Sequence, residues 1–290
     1  MWSKKILIII YKKHLYLLLL MILLVLVNIV LYLTQFIYRN YQVPETVTFS
    51  ANDTSTLSSS ANVRNPKLAI ILDDFGLNRA GIEEAMSINR HLTFAIMPFL
   101  KYSKQDAITA HTKGYEVIVH LPMQSQKRDN SRWLGPRPIS LNLKDSDIDK
   151  ITSDSINAVP YAAGLNIHMG ALASEDKRVV SAVMRVVKRK KLYFVDSVTS
   201  SRTVCGLVAK NIGVPFIERN VFLEGSSKNK SYVKQQLSVA EKLALKNGYA
   251  VVIGHVGSAG GKATIQAIKE TIPEMEGRGI RLVYVSELLK

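Results

Sequence analysis

The chain has 290 residues, of which 47% are hydrophobic, and a formal net charge of +15 at pH 7. This length suits one well-buried domain with a tail but is short for two full domains, and the single cysteine, Cys205, excludes an intramolecular disulfide. The positive charge is spread over predicted helices without the interleaved aromatic residues of a nucleic-acid-binding stripe, so we expect anionic surfaces rather than nucleic acid as partners.

The N-terminal segment is basic and then apolar. Residues 1–14 are rich in lysine, and Leu15–Tyr38 has no charged residue and many Leu, Ile and Val residues. About 20 apolar residues are enough for a helix to cross a bilayer, so Leu15–Tyr38 is predicted to be a transmembrane anchor. A cleaved signal peptide is the alternative, but its apolar run is usually only about 7 to 15 residues long and precedes a small-residue cleavage site. The basic N-terminus predicts a cytoplasmic segment 1–14 and an extracytoplasmic remainder, which is periplasmic if the cell is Gram-negative.

Residues 39–66 are rich in Ser, Thr and Asn and are predicted to form a flexible tether. In residues 67–290, short apolar runs alternate with stretches of helical spacing, a pattern typical of parallel β/α units with buried strands. The runs are Leu68–Leu72, Leu92–Met97, Val117–Val119, Ala163–Ile167, Leu192–Val195, Val214–Ile217, Ala250–Ile253 and Ile280–Tyr284. Eight candidate strands favour an irregular or incomplete parallel β/α barrel, with a doubly wound sheet as the structural alternative.

Ionisable side chains follow several of these runs, namely Asp73-Asp74, His120, His168, Asp196-Ser197 and His255. The C-terminal ends of parallel strands meet at one rim, so these side chains are expected to converge there. Taken singly, an aspartate pair is often only a helix cap, and a histidine after a strand is more often structural. Together, one carboxylate and two imidazoles suit zinc or a similar divalent ion with a position open for water. Asp73 then fits a general base, and His255 an acid for a leaving amine, in amide or ester hydrolysis.

The same residues carry a resemblance to a known family. Its markers, in chain order, are Ile71-Leu72-Asp73-Asp74-Phe75-Gly76, Gly114-Tyr115-Glu116-Val117 with His120-Leu121-Pro122-Met123, Gly164-Leu165-Asn166 with His168-Met169-Gly170, Phe194-Val195-Asp196-Ser197, Glu218-Arg219 with Val221-Phe222-Leu223, and Ile253-Gly254-His255. Between Lys67 and Leu289 the chain resembles the divergent polysaccharide deacetylase family, a branch of the NodB-like carbohydrate esterases with an irregular β/α barrel.

The resemblance implies a metal-dependent hydrolase, an N-deacetylase of a cell-envelope polysaccharide such as peptidoglycan. It implies that Asp74, His120 and His168 bind one divalent metal, with zinc expected, while Asp73 is the base and His255 assists catalysis. Polar side chains that could support this site are Asp196, Ser197, Gln124, Asn166, Glu218 and Arg219.

Four positions depart from the family's common pattern: Gln124, Ile167, Val198 and Asn220 stand where Glu, Asn, Arg and Asp are frequent. Such changes around a metal site can weaken metal binding. Two other functions therefore stay open: a non-catalytic barrel that binds glycan or a cell-wall hydrolase at the membrane surface, and a metal-dependent hydrolase of a small substrate.

The segment Gln124–Pro138 is long and basic, and we expect it to overhang the rim beside His120. Trp133 is predicted to stack on a sugar face, with Lys127, Arg128 and Arg132 meeting acidic groups. The alternative is a solvated loop whose Trp133 is tucked against the domain.

Overall fold

The computed structural model describes residues 20–34, 65–126, 133–225 and 227–289 of a chain that divides into two units, Met1–Ser60 and Ala61–Lys290. In the first unit, residues 20–34 form helix α1, and all of them are exposed. Within the described ranges no helix is both long and apolar enough to cross a bilayer. Segment 1–14, residues 15–19 and 35–38 of the predicted anchor, and the predicted tether up to residue 64 lie outside those ranges.

The second unit alternates strands with helices. The strands are β1 (Lys67–Phe75), β2 (Thr93–Ile96), β3 (Glu116–Met123), β4 (Ala162–Met169), β5 (Tyr193–Asp196), β6 (Phe216–Glu218), β7 (Val221–Phe222), β8 (Tyr249–His255) and β9 (Arg281–Val283). The helices are α2 (Ile82–Ala85), α3 (Ser103–Thr112), α4 (Asp145–Ala158), α5 (Lys177–Arg189), α6 (Cys205–Ile212), α7 (Lys230–Asn247) and α8 (Gly261–Gly277). Each predicted apolar run overlaps one strand, and β7, only two residues long, was not predicted as a strand.

Local sequence signals explain where two of the long helices begin and where one of them ends. Asp176 caps α5 by accepting a hydrogen bond from the backbone N–H of Val179, and Asn229 caps α7 in the same way. Gly248 ends α7 in the left-handed conformation, with φ of 89°, which a glycine adopts without a steric penalty. The chain then enters β8 at Tyr249, so the cap fixes where that strand begins.

The strands form one sheet in which every hydrogen-bonded pair is parallel. Their order is β6-β5-β4-β3-β2-β1-β8-β7, and β9 pairs with the first residues of β1. The order runs sequentially down to β1 and then joins β8, as in a curled barrel sheet, and in the described part of the chain no pairing joins β6 to β7. The predicted incomplete parallel barrel is therefore confirmed, and the doubly wound alternative is wrong.

Side chains that alternate along each strand form two hydrophobic layers. Leu68, Ile70 and Leu72 of β1 belong to the layer that also contains helix residues such as Val183. Ala69 and Ile71 belong to a smaller layer built almost entirely from strand residues, which fills the barrel interior. Because side chains alternate along a strand, Asp73 continues the interior row of β1. The interior core therefore ends in polar residues at the C-terminal rim.

Candidate metal and acid–base site

The predicted metal-binding residues lie inside strands rather than after them. The sequence predicted that the third strand ends at His120 and the fourth at His168, but β3 continues to Met123 and β4 to Met169. The two strands keep pairing through these residues, with His120 opposite Asn166 and Pro122 opposite His168. The polar side chains interrupt the apolar sequence pattern, but the backbone hydrogen bonds between the two strands continue past them. The histidines are consequently held by paired strands rather than by loops.

Asp74, His120 and His168 come together at one point. Their potential ligand atoms all lie within 4.8 Å of one another. Asp74 Oδ1 is 3.2 Å from His168 Nδ1 and 3.5 Å from His120 Nε2, and the two ring nitrogens are 3.0 Å apart. The structure thus brings together the three residues predicted as ligands, although they are far apart in sequence.

Hydrogen bonds on the far side of each ring determine which nitrogen faces this point. Asn166 Nδ2 donates to Asp73 Oδ1 (2.9 Å), so Asn166 Oδ1 is the acceptor for His120 Nδ1–H (2.7 Å). The carbonyl oxygen of Trp133 accepts from His168 Nε2–H at 2.8 Å. When the rings are neutral, each therefore turns a lone pair toward Asp74, as rings that bind metal do.

The three potential ligand atoms fit a divalent cation. Among the described residues, Asp74 Oδ1 is buried without a hydrogen-bond partner of normal geometry, and the lone pairs of the two rings face it when the rings are neutral. One carboxylate oxygen and two ring-nitrogen lone pairs around a single point repel one another unless a positive charge lies among them. Two imidazoles and one carboxylate are ligands that zinc and related ions accept, with a position left for water or substrate.

A backbone irregularity explains how two consecutive aspartates both reach this point. Successive side chains of a regular strand point to opposite faces of the sheet. In β1 the pairing register with β2 shifts between Leu72 and Phe75, and Asp74 has φ of 72°. As a result Asp73 Oδ2 and Asp74 Oδ1 lie 3.6 and 3.5 Å from the same atom, His120 Nε2. A left-handed aspartate costs on the order of 1–3 kcal/mol and is often found at functional sites.

The two aspartates differ in protonation behaviour. Burial raises the pKa of Asp73 above its ordinary value, although His120, His255 and the Asn166 hydrogen bond oppose the shift. Burial would also raise the pKa of Asp74, but hydrogen bonds from the His120 and His168 rings in their protonated form outweigh burial and hold that pKa well below its ordinary value. Asp73 therefore has the greater proton affinity, and Asp74 remains ionised.

His255 lies at the end of β8, opposite Asp73 in the strand register, and is held by Glu224. Glu224 Oε2 is 3.0 Å from His255 Nδ1, while Glu224 Oε1 accepts hydrogen bonds from the His255 backbone N–H and from Thr264 Oγ1. Burial lowers the pKa of His255, but Glu224 and the nearby aspartates outweigh burial and raise it to about 9. Sequence reasoning missed Glu224, although its place directly after the apolar run 221–223 was a usable signal.

Other predicted supporting residues hold the loop that follows β5. Asp196 accepts hydrogen bonds from Val198 N–H and from a threonine hydroxyl, and Ser197 Oγ donates to the Ile167 carbonyl. Arg219 donates to the carbonyls of Ser197 and Val198. Glu218 is exposed at the end of β6. Asn166, in contrast, links a predicted ligand directly to the predicted base.

The positions that depart from the family pattern have contacts away from the three ligands. Ile167 belongs to the outer hydrophobic layer. Gln124 Oε1 accepts a hydrogen bond from Leu141 N–H, and Asn220 Oδ1 accepts one from Val251 N–H. Val198 lies in a left-handed turn with φ of 48°. These residues pack in the core or anchor loops, and the Asp74, His120 and His168 cluster is present beside them.

Trp133 borders the site, and the residue is 59% exposed. Its backbone carbonyl accepts the hydrogen bond from His168, so the overhanging segment contacts the predicted ligand set. Arg132, Lys127 and Arg128, which were predicted to meet acidic groups, lie outside the described residues. The predicted position of the loop at the rim agrees with this contact, and the role of Trp133 in stacking on a sugar stays a prediction.

Known proteins match the chain over most of its length. The sequence profile of the divergent polysaccharide deacetylase family matches residues 70–289. The chain is 33% identical over 233 residues to the uncharacterized protein YibQ of Escherichia coli K12, an alignment that covers 80% of this chain and 70% of that protein. An uncharacterized protein of Haemophilus influenzae Rd is 29% identical over 201 residues, an alignment that covers 69% of this chain and 70% of that protein. The crystal structure of uncharacterized protein ATU2773 from Agrobacterium tumefaciens C58 superposes with a TM-score of 0.72 at 22% identity, covering 79% of this chain and 91% of that one.

Proposed function

We propose that this chain, which belongs to the divergent polysaccharide deacetylase family, is a metal-dependent N-deacetylase of a cell-envelope glycan such as peptidoglycan. The family and the fold are those of polysaccharide deacetylases, which are hydrolases. The observation that carries the metal-dependent chemistry is the convergence of Asp74, His120 and His168, with their lone pairs turned to one point. Asp73 and His255, the proposed base and acid, both interact electrostatically with Asp74, and amide hydrolysis requires both roles.

Asp74, His120 and His168 would hold the divalent ion, which we expect to be zinc and which supplies Lewis-acid polarisation of the acyl carbonyl and a lowered pKa for water. Asn166 fixes the ring of His120, and the Trp133 carbonyl fixes the ring of His168. Because both rings are already oriented, they lose little conformational freedom when the metal binds, and this favours a defined coordination geometry.

Asp73 is suited to accept the proton of the attacking water. Asn166 occupies its Oδ1, while Oδ2 lies 3.6 Å from His120 Nε2, on the side of the ligand cluster. Burial raises the pKa of Asp73 and so increases its proton affinity. Asp74, whose pKa is held low, cannot serve as the base.

His255 is suited to donate a proton to the departing amine. With a pKa raised to about 9, its ring is protonated at neutral pH. Glu224 accepts from Nδ1–H, so Nε2–H is the proton that can be transferred. The amide C–N bond breaks as the amine gains this proton, and acetate and a free amino sugar leave.

The envelope location belongs to the same proposal. The basic segment 1–14, the apolar Leu15–Tyr38 and the tether 39–66 support a single-pass protein whose barrel faces an envelope polysaccharide across the membrane. Protease added to intact spheroplasts is expected to digest the barrel and to spare an N-terminal tag. Protection of the barrel would contradict this orientation.

The function is tested with the full-length chain in detergent. Bound metal is measured by inductively coupled plasma mass spectrometry, and acetate release is measured from peptidoglycan and from N-acetylated chitooligosaccharides. Asp74→Asn should lose both metal and activity. Asp149→Asn, on the surface of α4 where Asp149 pairs with Arg189, is the matched control and should retain both.

Full metal occupancy without acetate release from any N-acetylated envelope polymer would overturn the deacetylase proposal. Glycan binding in that situation would favour the non-catalytic barrel. Activity on N-acetylglucosamine equal to that on polymers would favour a small substrate instead.

A further inference from the structure

Exposed lysines gather at the end of the barrel opposite the candidate metal site. Because the strands are parallel and the helices run back between them, this end holds the first residues of the strands and the last residues of the helices. Four lysines lie in the last turn of α3, α5, α6 and α7 or just beyond it, namely Lys113, Lys191, Lys210 and Lys246. All four are exposed, and none forms an ion pair within the described part of the chain.

Aromatic side chains lie among these lysines. Tyr161, which directly precedes β4, is 57% exposed, and Tyr249, the first residue of β8, is 43% exposed. Tyr161 stacks on His111 with ring centroids 3.9 Å apart, which holds its ring beside the end of α3. The strand register pairs Tyr249 with Lys67, the first residue of β1. We define the basal face as the surface that carries Lys67, Lys113, Lys191, Lys210, Lys246, Tyr161 and Tyr249.

The helix dipole explains only part of this pattern. A lysine in the last turn of a helix is stabilised by the negative end of the dipole, but the effect falls off within that turn. Four consecutive basic residues, Lys188–Lys191, end α5 and continue beyond it, and Lys67 begins a strand. The dipole also gives no reason for two exposed tyrosines. A ligand outside the barrel accounts for both features.

Glutamates at the same end are engaged by arginines rather than by these lysines. Glu276 pairs with Arg90 at 2.6 Å, and Glu287 pairs with Arg281 at 3.4 Å. The lysine charges of the basal face are therefore left without carboxylate partners. Such a surface is complementary to anionic lipid, because lysines attract the phosphates and tyrosine rings lie favourably at the level of the headgroups.

The chain also enters the barrel at the basal face. Lys67 begins β1, and the Pro66 carbonyl accepts a hydrogen bond from Arg281 N–H at the start of β9. The segment 39–66, which leads back to the predicted anchor, is therefore attached at this end. A surface that is tethered near a bilayer meets a high effective concentration of lipid, so a weak attraction for each lysine is sufficient for docking.

We propose that the basal face docks on the anionic headgroup surface of the membrane that holds the predicted anchor. This inference rests on the envelope location in the proposed function. Each lysine near such a surface is expected to strengthen the attraction by roughly fivefold. Docking by the basal face directs the opposite rim, with the candidate metal site, away from the bilayer and toward an envelope polymer.

The test measures energy transfer from a fluorophore on the full-length chain to a headgroup-labelled lipid in nanodiscs. One set of nanodiscs contains phosphatidylcholine alone, and the other contains phosphatidylglycerol as well. Cys205 is buried, and burial raises the pKa of its thiol to about 12, so a maleimide dye reacts with an introduced cysteine instead. Asn247→Cys places the dye beside Lys246, and Ser146→Cys places it in the first turn of α4 near the rim. Both positions are exposed.

Transfer from the dye at position 247 should rise at least twofold from neutral to anionic nanodiscs, while transfer from position 146 should stay level or fall. Molar sodium chloride should abolish the rise, because it shortens the range of electrostatic attraction to about 3 Å. The combined variant Lys113→Gln, Lys191→Gln and Lys246→Gln should also abolish it. The matched control removes the same charge near the rim with Lys101→Gln, Lys144→Gln and Lys177→Gln, which are exposed as well, and should keep the rise.

Equal transfer from position 247 in the two lipid compositions would overturn the docking surface. An equal loss in the basal and rim variants would also overturn it, since any lysines would then serve. The deacetylase is tested separately, because acetate release from a soluble oligosaccharide in detergent does not depend on the lipid. Lipid-dependent transfer without acetate release would support docking and contradict the deacetylase, and acetate release with equal transfer would do the reverse.

Discussion

Replacing Glu224 by Gln should move the alkaline limb of the pH–rate profile to lower pH. Glu224 lies 3.0 Å from His255 Nδ1 and is the strongest of the contacts that raise the pKa of His255 against burial. The side-chain amide of the Glu224→Gln variant could still accept a hydrogen bond from the ring, but it would no longer supply a negative charge. The protonated ring would then lose its main electrostatic partner and would release its proton more readily.

The size of the effect follows from the two pKa values. With a pKa of about 9, His255 is about 97% protonated at pH 7.5, whereas with the ordinary value of 6.5 it would be about 9% protonated. The variant should therefore lose up to roughly tenfold in kcat/KM at pH 7.5 and less than about 1.5-fold at pH 6. Tenfold is the upper limit, because Asp73 and Asp74 also raise this pKa and stay in place.

The assay is acetate release from an N-acetylated oligosaccharide between pH 5 and 10, with the His255 ring titrated in parallel by NMR. Glu241→Gln is the matched control, because Glu241 is also a buried glutamate in an ion pair, with Arg278, and is far from the site. An unchanged alkaline limb in Glu224→Gln, or an equal shift in Glu241→Gln, would refute the assignment of His255 as the acid held by Glu224.

Asp74→Asn should reduce bound metal to background by mass spectrometry with an unchanged circular dichroism spectrum, since Asn also tolerates φ near +72°; full occupancy would contradict the ligand assignment. Asn166→Ala should weaken metal binding by roughly 10- to 100-fold in chelator competition, because a ring-orienting bond is lost. Trp133→Ala should weaken glycan binding by roughly threefold to tenfold in calorimetry without altering metal content. Gly164→Ala should lower stability by about 1–3 kcal/mol in urea unfolding, since the added Cβ would lie 2.4 Å from the Tyr193 ring.

The barrel and the convergence of the site could be predicted from sequence for a definite reason. Buried parallel strands leave apolar runs that alternate with helical spacing, and the ends of such strands share one rim. Asp73, His120 and His168 each interrupt an apolar run at its C-terminal side. The strand register then brings them together, with β3 adjacent to β4 and two strands away from β1. The two-residue β7 could not be predicted in this way, because so short a strand gives no periodic signal.

The hydrogen bonds between side chains of different elements could not be predicted. Glu224 receives hydrogen bonds from His255, 31 residues away, and from Thr264, 40 residues away, and no local pattern shows that these residues meet. The support for His120 from Asn166 depends on the β3–β4 register, and a shift of one residue would place Asn166 on the opposite face. Sequence reasoning therefore located the groups at the rim but not the bonds that set their protonation.

Those bonds explain how two adjacent aspartates can have different roles. In a regular strand Asp73 and Asp74 would point to opposite faces, and only one could reach the site. The register shift in β1 brings both to His120 Nε2, and the surroundings then separate them. Burial raises the proton affinity of Asp73 although the hydrogen bond from Asn166 opposes this, whereas the His120 and His168 rings in their protonated form lower the proton affinity of Asp74. Neighbouring carboxylates whose pKa values are pushed apart are the arrangement by which an enzyme distinguishes a proton acceptor from a permanently charged group. In this chain the register shift in β1 makes that distinction possible, because it brings both carboxylates to the histidines.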